Sequence, residues 1–325
     1  VVERHRLERD PAVRRYARLK PGLGRDEIER FVADPARTGE PYHGRYAVWT
    51  SSGSTGRPGL YVQDENALAV YDALLAARFP RAMHAGSPFQ TLAAGGRFAM
   101  VAATGRHLAG VVSWERLRRE FPWMASAMRT FPVLAPLREL VAQLDAWPPP
   151  ILASYPTTLL LLARERAAGR LGIRPRVLWS GGETLAPAER AEIAAAFDAE
   201  GIDGYGASEC LQIAFDCGHG SLHLNSDWVI LEAVDEHGRP VPDGVRSASC
   251  LLTNLANRVQ PLIRYDLGDS ITYRAAAAAP SRRCRSTAAA TTSCCWRAPT
   301  AARCRWRRSR SRPWSRSAAA RTASR

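Results

Sequence analysis

No apolar run in this 325-residue chain approaches the roughly 18–20 residues that a bilayer-spanning helix requires, which excludes a helical membrane protein. Residues 1–15 carry too many charges for a secretory leader, so the chain is expected to be soluble and cytoplasmic. Internal repeats are absent, which excludes a solenoid. The largest absence is local. Residues 274–325 hold no Leu, Ile, Val, Phe, Tyr, Met or Gly, and no Lys, Asp or Glu. A stretch without large aliphatic side chains cannot bury a core of its own.

That stretch also explains the charge. The net +14 invites a nucleic-acid reading. Yet residues 1–273 hold 31 basic and 31 acidic groups, so the whole excess comes from fourteen arginines beyond them. Four of the seven cysteines lie there too. An Arg-rich nucleic-acid arm mixes in Lys and Gly and has no use for the "CCW" of 294–296. Ala, Arg, Ser, Pro, Cys, Trp and Thr are instead what a GC-rich gene yields out of frame. Written with codons ending in G or C and read from each third base, residues 281–296 give "PAVPVDGRRDDVLLL" for one permitted choice of third bases. The expectation is a folded domain over 1–273 and an out-of-frame, disordered tail over 274–325. A genuine basic tail that grips nucleic acid or another acidic surface is the alternative, and a non-functional product of an interrupted gene is a third.

What is present reads as an α/β domain. Short apolar runs at 47–50, 98–103, 150–154, 176–180 and 202–205 look like strands. Between them, 65–79, 134–147, 157–168 and 187–199 carry apolar residues at helical spacing. Such alternation predicts a largely parallel sheet flanked by helices. Beyond Gly220 the pattern changes to strands and Pro/Gly turns, which suggests a smaller β-rich lobe.

Four loops follow strands where an α/β sheet places its ligands. "WTSSGSTGRPGLYV" gathers Ser51, Ser52, Gly53, Ser54, Thr55 and Gly56 after a strand. It reads either as a mobile turn or as an anion cradle, in which bare glycine backbone and hydroxyls approach a phosphate. It does not fit the Walker pattern, since Arg57, Pro58 and Gly59 follow. "WSGGETLAP" places Gly181, Gly182 and Glu183 before a helix and could be an ordinary capped turn. "DGYGASEC" offers Asp203, Tyr205, Gly206, Ser208 and Glu209: an aromatic for a planar base and a carboxylate for Mg²⁺. "LIRYDLGD" ends in Asp269, which could accept from ribose hydroxyls or pair with Arg264.

Each loop is weak alone, but their order resembles the adenylate-forming superfamily of acyl-CoA synthetases. "SSGSTGRP", "YGASE" and "LLTNLANRVQPLIRYDLGD" look like its phenylacetate-CoA ligase and coenzyme F390 synthetase branch. The resemblance covers roughly residues 26–271. It implies a large N-terminal domain of parallel sheets, helices and a β-rich lobe, which activates a carboxylic acid with ATP and Mg²⁺ and passes it to CoA. It implies that residues 51–56 wrap the β- and γ-phosphates with Thr55 near the metal. Gly181, Gly182 and Glu183 would sandwich adenine with Tyr205, while Asp203 meets its amino group. Ser208 and Glu209 would meet phosphate and Mg²⁺, and Asp269 would hold the ribose. The pattern departs from the superfamily where Gly59 replaces a usual Lys. It departs again where the G-R-x-D-D hinge and the lid domain with the catalytic lysine belong. The out-of-frame reading restores "GRRDD" there. As written, the chain is expected to be impaired in adenylation.

Cys210, Cys217, His219 and His223 could hold Zn²⁺, although the first spacing is long for a finger; a buried thiol beside loop histidines is the alternative. His107 reads as a loop histidine, and Trp114, Trp123, Trp147 and Trp179 read as core rather than as a stacking platform.

Overall fold

A computed structural model describes residues 16–17, 23–51, 58–82, 96–216, 222–274 and 303–307. The chain opens with β1 (Tyr16–Ala17) and α1 (Arg25–Val32), an amphipathic helix that buries Ile28 and Phe31. Next come β2 (Ala47–Thr50) and β3 (Leu60–Gln63), which pair with each other as a two-stranded hairpin. Helix α2 (Glu65–Ala82) follows at once. Its start is fixed by Asp64, whose Oδ1 accepts from the Ala67 amide at 2.8 Å and so satisfies one of the free donors of the first turn.

The main sheet is then laid down strand by helix. The elements are β4 (Phe98–Ala102), α3 (Ala109–Glu120), the short α4 (Pro122–Ala125), β5 (Met128–Pro132) and α5 (Leu137–Ala146). After them come β6 (Ile151–Ser154), α6 (Pro156–Ala167), β7 (Val177–Gly181), α7 (Pro187–Phe197) and β8 (Glu200–Ala207). Strands β5, β4, β6, β7 and β8 lie side by side in parallel. Proline stands in the first turn of α6 and of α7, where its missing N–H costs nothing. Glu189 reaches back to the Ala186 amide at 2.8 Å and closes the start of α7.

Antiparallel strands β9 (Cys210–Asp216) and β10 (Leu222–Leu224) extend this sheet beyond β8. The β-rich lobe follows with β11 (Val229–Val234), β12 (Ser249–Asn254), β13 (Leu262–Asp266) and β14 (Ser270–Arg274). Here β11, β12, β13 and β1 make a separate four-stranded sheet. From residues 275–325 the structure describes only β15 (Arg303–Arg307), paired antiparallel with β10 and β14.

Both faces of the main sheet are covered, as a parallel sheet requires. On one face Leu152 and Leu178 meet Leu140, Leu144, Leu159, Leu162, Ile193 and Phe197 from α5, α6 and α7. On the other, Val177, Ile202 and Phe215 meet Leu75 and Phe79 of α2. Arg116 ties α3 to α2 through Asp72 at 2.5 Å and also reaches Glu120 at 2.6 Å.

The β2–β3 hairpin belongs to neither sheet, so the outer edge of β3 needs other partners. Gln260 supplies two of them: its Oε1 accepts from the Val62 amide at 2.7 Å, and its Nε2 donates to the Leu60 carbonyl at 3.1 Å. Asn257 donates to the Val62 carbonyl at 2.8 Å. Two side chains thus stand in for a missing strand. Truncating Gln260→Ala orphans a buried donor and acceptor, at about 1–3 kcal/mol per group. Urea denaturation should therefore show a loss of stability of that order, and Gln260→Glu, which sets a buried carboxylate against the Leu60 carbonyl, should be no more stable than Gln260→Ala at neutral pH.

Candidate functional site

The candidate site lies where the β2–β3 hairpin meets the carboxyl ends of β7 and β8, the place where open α/β sheets hold ligands. Its first part is the neck of the Ser/Thr/Gly loop. The Ser51 amide donates to the Gly59 carbonyl at 3.0 Å, and the Gly59 amide donates back to Ser51 Oγ at 2.8 Å. Ser51 therefore closes the neck. Ser52, Gly53, Ser54, Thr55 and Gly56 lie outside the described residues. Gly59 has a local reason to be bare: a Cβ there would sit 2.8 Å from the Tyr61 hydroxyl. A lysine at this position would have to displace that ring.

Beside the neck, the His107 carbonyl accepts from the Thr50 amide at 2.6 Å. A cleft of about 360 Å³ there is lined by Thr50, Pro58, Leu60, Arg106 and His107 among others. His107 is buried in that wall and held below the usual imidazole range, chiefly by burial. A larger cavity of about 500 Å³ lies between α1 and residues 41–44, and no residue of the four loops lines it.

At the end of β7 the chain turns through Gly182, whose φ of +78° favours glycine and whose Cβ would lie 3.2 Å from the Tyr155 ring. Glu183 points to the start of α6, where its Oε2 accepts from the Thr157 amide at 3.1 Å and the Thr157 hydroxyl at 2.7 Å. A carboxylate suits that positive end of a helix. Glu183 thereby fastens the Gly181–Gly182 turn to α6.

Strand β8 carries most of the remaining groups. Asp203 is buried, with its Oδ1 accepting from Ser180 Oγ at 2.8 Å and from the Gly204 amide at 3.1 Å. Arg190 stands 3.5 Å from its other oxygen and 3.3 Å from Asp216. Burial outweighs these partners and pushes the Asp203 carboxyl up to about 6. Tyr205 is buried, and its hydroxyl donates to Asp269 Oδ2 at 2.9 Å. The Arg264 guanidinium reaches Glu232 at 3.0 Å. Gly206 is required sterically, since a Cβ would fall 2.2 Å from the Leu211 carbonyl oxygen.

The turn after β8 is held from three directions. Trp49 Nε1 donates to the Ser208 carbonyl at 2.7 Å, Asn254 donates to the Glu209 carbonyl at 3.1 Å, and Tyr61 donates to Glu209 Oε1 at 2.5 Å. Tyr265 Oη lies 3.3 Å from Tyr61 Oη. Burial raises the Glu209 carboxyl, and the Tyr61 bond works against that rise. Trp49, Tyr61, Asn254 and Tyr265 lie within the motifs singled out above, but residue type alone does not show that they converge on the turn after β8.

As a metal donor set, a single Glu209 carboxylate suits Mg²⁺, which takes one or two carboxylates and completes its shell with phosphates and water. Among the described residues no group of three His, Cys, Asp or Glu side chains converges on a point. The zinc set does not assemble as expected. Cys210 starts β9, whereas His223 pairs opposite Phe215, five residues along the same strand. At ~3.4 Å per residue those positions are roughly 17 Å apart, too far for one ion. Burial also pushes the Cys210 thiol up to about 12, which leaves it protonated. Cys217 and His219 lie outside the described residues.

Two tests follow. Gly206→Ala should destabilise the chain by more than about 1 kcal/mol in a denaturant titration, because it forces backbone apart. For Asp203, the raised folded value means that the folded state holds a proton which the unfolded chain has already released between about pH 4 and 6. This group's contribution to stability therefore falls as pH rises through that window and stays low above it. Thermal melts should show Asp203→Asn gaining on the wild type between pH 4.5 and 7.5; a constant gap would contradict the assigned burial.

No family model matches the sequence, and no curated protein matches it. Solved structures match its shape. A 2-hydroxyisobutyryl-CoA ligase, in an open conformation in complex with 2-HIB-AMP and CoA, superposes with a TM-score of 0.52 at 20% identity, over 73% of this chain and 54% of that one. The same ligase in the thioesterification state gives 0.51 at 21% identity, over 79% and 54%. In the postadenylation state with 2-HIB-AMP it gives 0.51 at 20%, again over 79% and 54%. This chain thus spans about half the length of those ligases, and at such identities the likeness shows fold alone. The chain has the fold of the part of those ligases on which it superposes.

Proposed function

We propose that this chain is the nucleotide-binding part of an acid-thiol ligase of the phenylacetate-CoA ligase type, which activates a carboxylic acid with ATP and transfers the acyl group to CoA. One observation carries the reading. Ser51 closes its loop neck on Gly59, Tyr61 of the same hairpin bonds Glu209 in the turn after β8, and Tyr205 at the end of β8 bonds Asp269 in the loop before β14. These residues come from three of the four loops that the sequence motifs single out.

In that reaction a carboxylate oxygen attacks the α-phosphorus of ATP. The new acyl–phosphate bond forms as the bond to the β-phosphate breaks, and pyrophosphate leaves. A thiol then attacks the acyl carbon and expels AMP. Charge builds on phosphoryl oxygens, so the chain's task is to position and stabilise it. Residues 51–56 would supply backbone donors to the β- and γ-phosphates. Asp269, oriented by Tyr205, would accept from ribose hydroxyls, and Asp203 would accept from the adenine amino group near the Gly181–Gly182 turn. Glu209 would hold Mg²⁺, which when bound draws charge from the phosphates.

Residues 274–325 contain no lysine, so they offer no counterpart to the lid lysine of the superfamily. We propose that the reading frame changes near residues 274–280 and that this chain is impaired in adenylation as a result. Resequencing the 3′ end of the gene checks the frame, and an intact frame there ends that part of the proposal. The activity itself is tested by pyrophosphate release over a panel of aryl and aliphatic carboxylates. The frame-restored protein should release pyrophosphate with at least one acid, and the present chain should be slower by about two orders of magnitude or more. Equal rates would overturn the impairment. A frame-restored protein inert to every acid and unable to bind ATP would overturn the ligase reading.

A further inference from the structure

Tyr61 has no assigned part in the nucleotide chemistry, yet its position is unusual. It lies on β3, two residues after the Ser51–Gly59 neck, and its hydroxyl crosses to the carboxylate of Glu209 at 2.5 Å. The ring is fully packed, with 2% of its surface exposed. Space for it depends on Gly59 having no side chain, since a Cβ there would meet the ring edge at 2.8–3.0 Å. Its backbone is pinned as well, because the residues on either side, Leu60 and Val62, are held by Gln260. A donor fixed at both backbone and ring gives its acceptor a fixed direction. The bond is made to Oε1 of Glu209.

We propose that Tyr61 is the positioning residue for Glu209, tying the strand that leaves the Ser/Thr/Gly loop to the acid so that loop neck and acid move as one unit. Tyr265 of β13 plays a secondary part: its hydroxyl meets that of Tyr61 at 3.3 Å. The tie exists in the chain without nucleotide. Its consequence for Mg²⁺ rests on the nucleotide reading given above.

The test compares wild type, Tyr61→Phe and Tyr265→Phe, all as the full chain. Amide hydrogen exchange is followed at Leu60–Gln63 and at 208–212 without nucleotide. ATP affinity is then measured by calorimetry in excess Mg²⁺ and in EDTA. A hydrogen bond to a charged group is worth roughly tenfold in an equilibrium. In Tyr61→Phe, exchange at both segments should therefore rise about tenfold. The gain in ATP affinity that Mg²⁺ confers should shrink by about five- to tenfold, while affinity in EDTA changes less than twofold. Tyr265→Phe, which leaves the Tyr61–Glu209 bond in place, should raise exchange at both segments less than Tyr61→Phe does. Unchanged exchange in Tyr61→Phe overturns the proposal whether or not nucleotide binds. Equal loss of affinity with and without Mg²⁺ also overturns it, since that marks general loosening. If neither the wild type nor the frame-restored protein binds ATP, the nucleotide reading fails, and the exchange arm still decides the tie.

Discussion

Everything at the candidate site leans on the bonds that Gln260 and Asn257 make to the open edge of β3. A two-stranded hairpin is marginal in water by itself, and this one carries the neck of the Ser/Thr/Gly loop at its tip. The polar side chains of 257–260 give it a third, artificial edge partner. Asp64 adds to the same junction, because one carboxylate oxygen caps α2 and the other accepts from the Arg258 amide at 3.0 Å. Trp49 on β2 and Tyr61 on β3 then project to the turn after β8. The hairpin thus serves as a bracket between the β-rich lobe and the main sheet, and the site sits in the angle of that bracket.

The bracket is only half legible in the sequence. "NLANRVQ" stands out as a motif, but periodicity cannot show that Asn257 and Gln260 face a strand edge some 195–198 residues away. The parallel strands are readable because runs such as "ILAS" and "VLWS" are apolar up to their last residue, as suits strands buried on both faces. Their helices are readable because Pro156 and Pro187 mark the starts. Strand β5 escapes the pattern: "MRTFP" mixes an arginine and a proline into an edge strand, where only one side is paired. Helix α3 escapes it as well, since "AGVVSWERLRRE" begins without a capping side chain. At the site, the glycine and acidic positions can be read from residue type. The hydroxyl donors Tyr61, Ser180 and Tyr205 that orient the acids cannot be read that way, because only the fold brings them within reach.

The electrostatics of the site follow from that arrangement. Asp203, Glu209 and Asp269 gather around the end of β8 and the turn after it, and neutral hydroxyls from Ser180, Tyr61 and Tyr205 hold them. A hydroxyl fixes the direction of a carboxylate without cancelling its charge. Arginine pairing is directed mostly elsewhere, to Asp216, Glu232 and the helix surfaces. The result is a pre-aligned set of acceptors, a suitable surface for hydroxyls, an amino group and a metal ion.

The distance along the chain between Val62 and Gln260, 198 residues, also sets an order of events during synthesis. A hairpin whose outer edge waits for a segment made that much later stays unpaired while the whole parallel sheet emerges. At the pace of a ribosome, about 5–20 residues per second, the wait is on the order of ten to forty seconds. For that time the apolar face of β2 and β3 is open to whatever binds unfinished chains. This fold therefore secures the neck of its Ser/Thr/Gly loop long after that neck has been made.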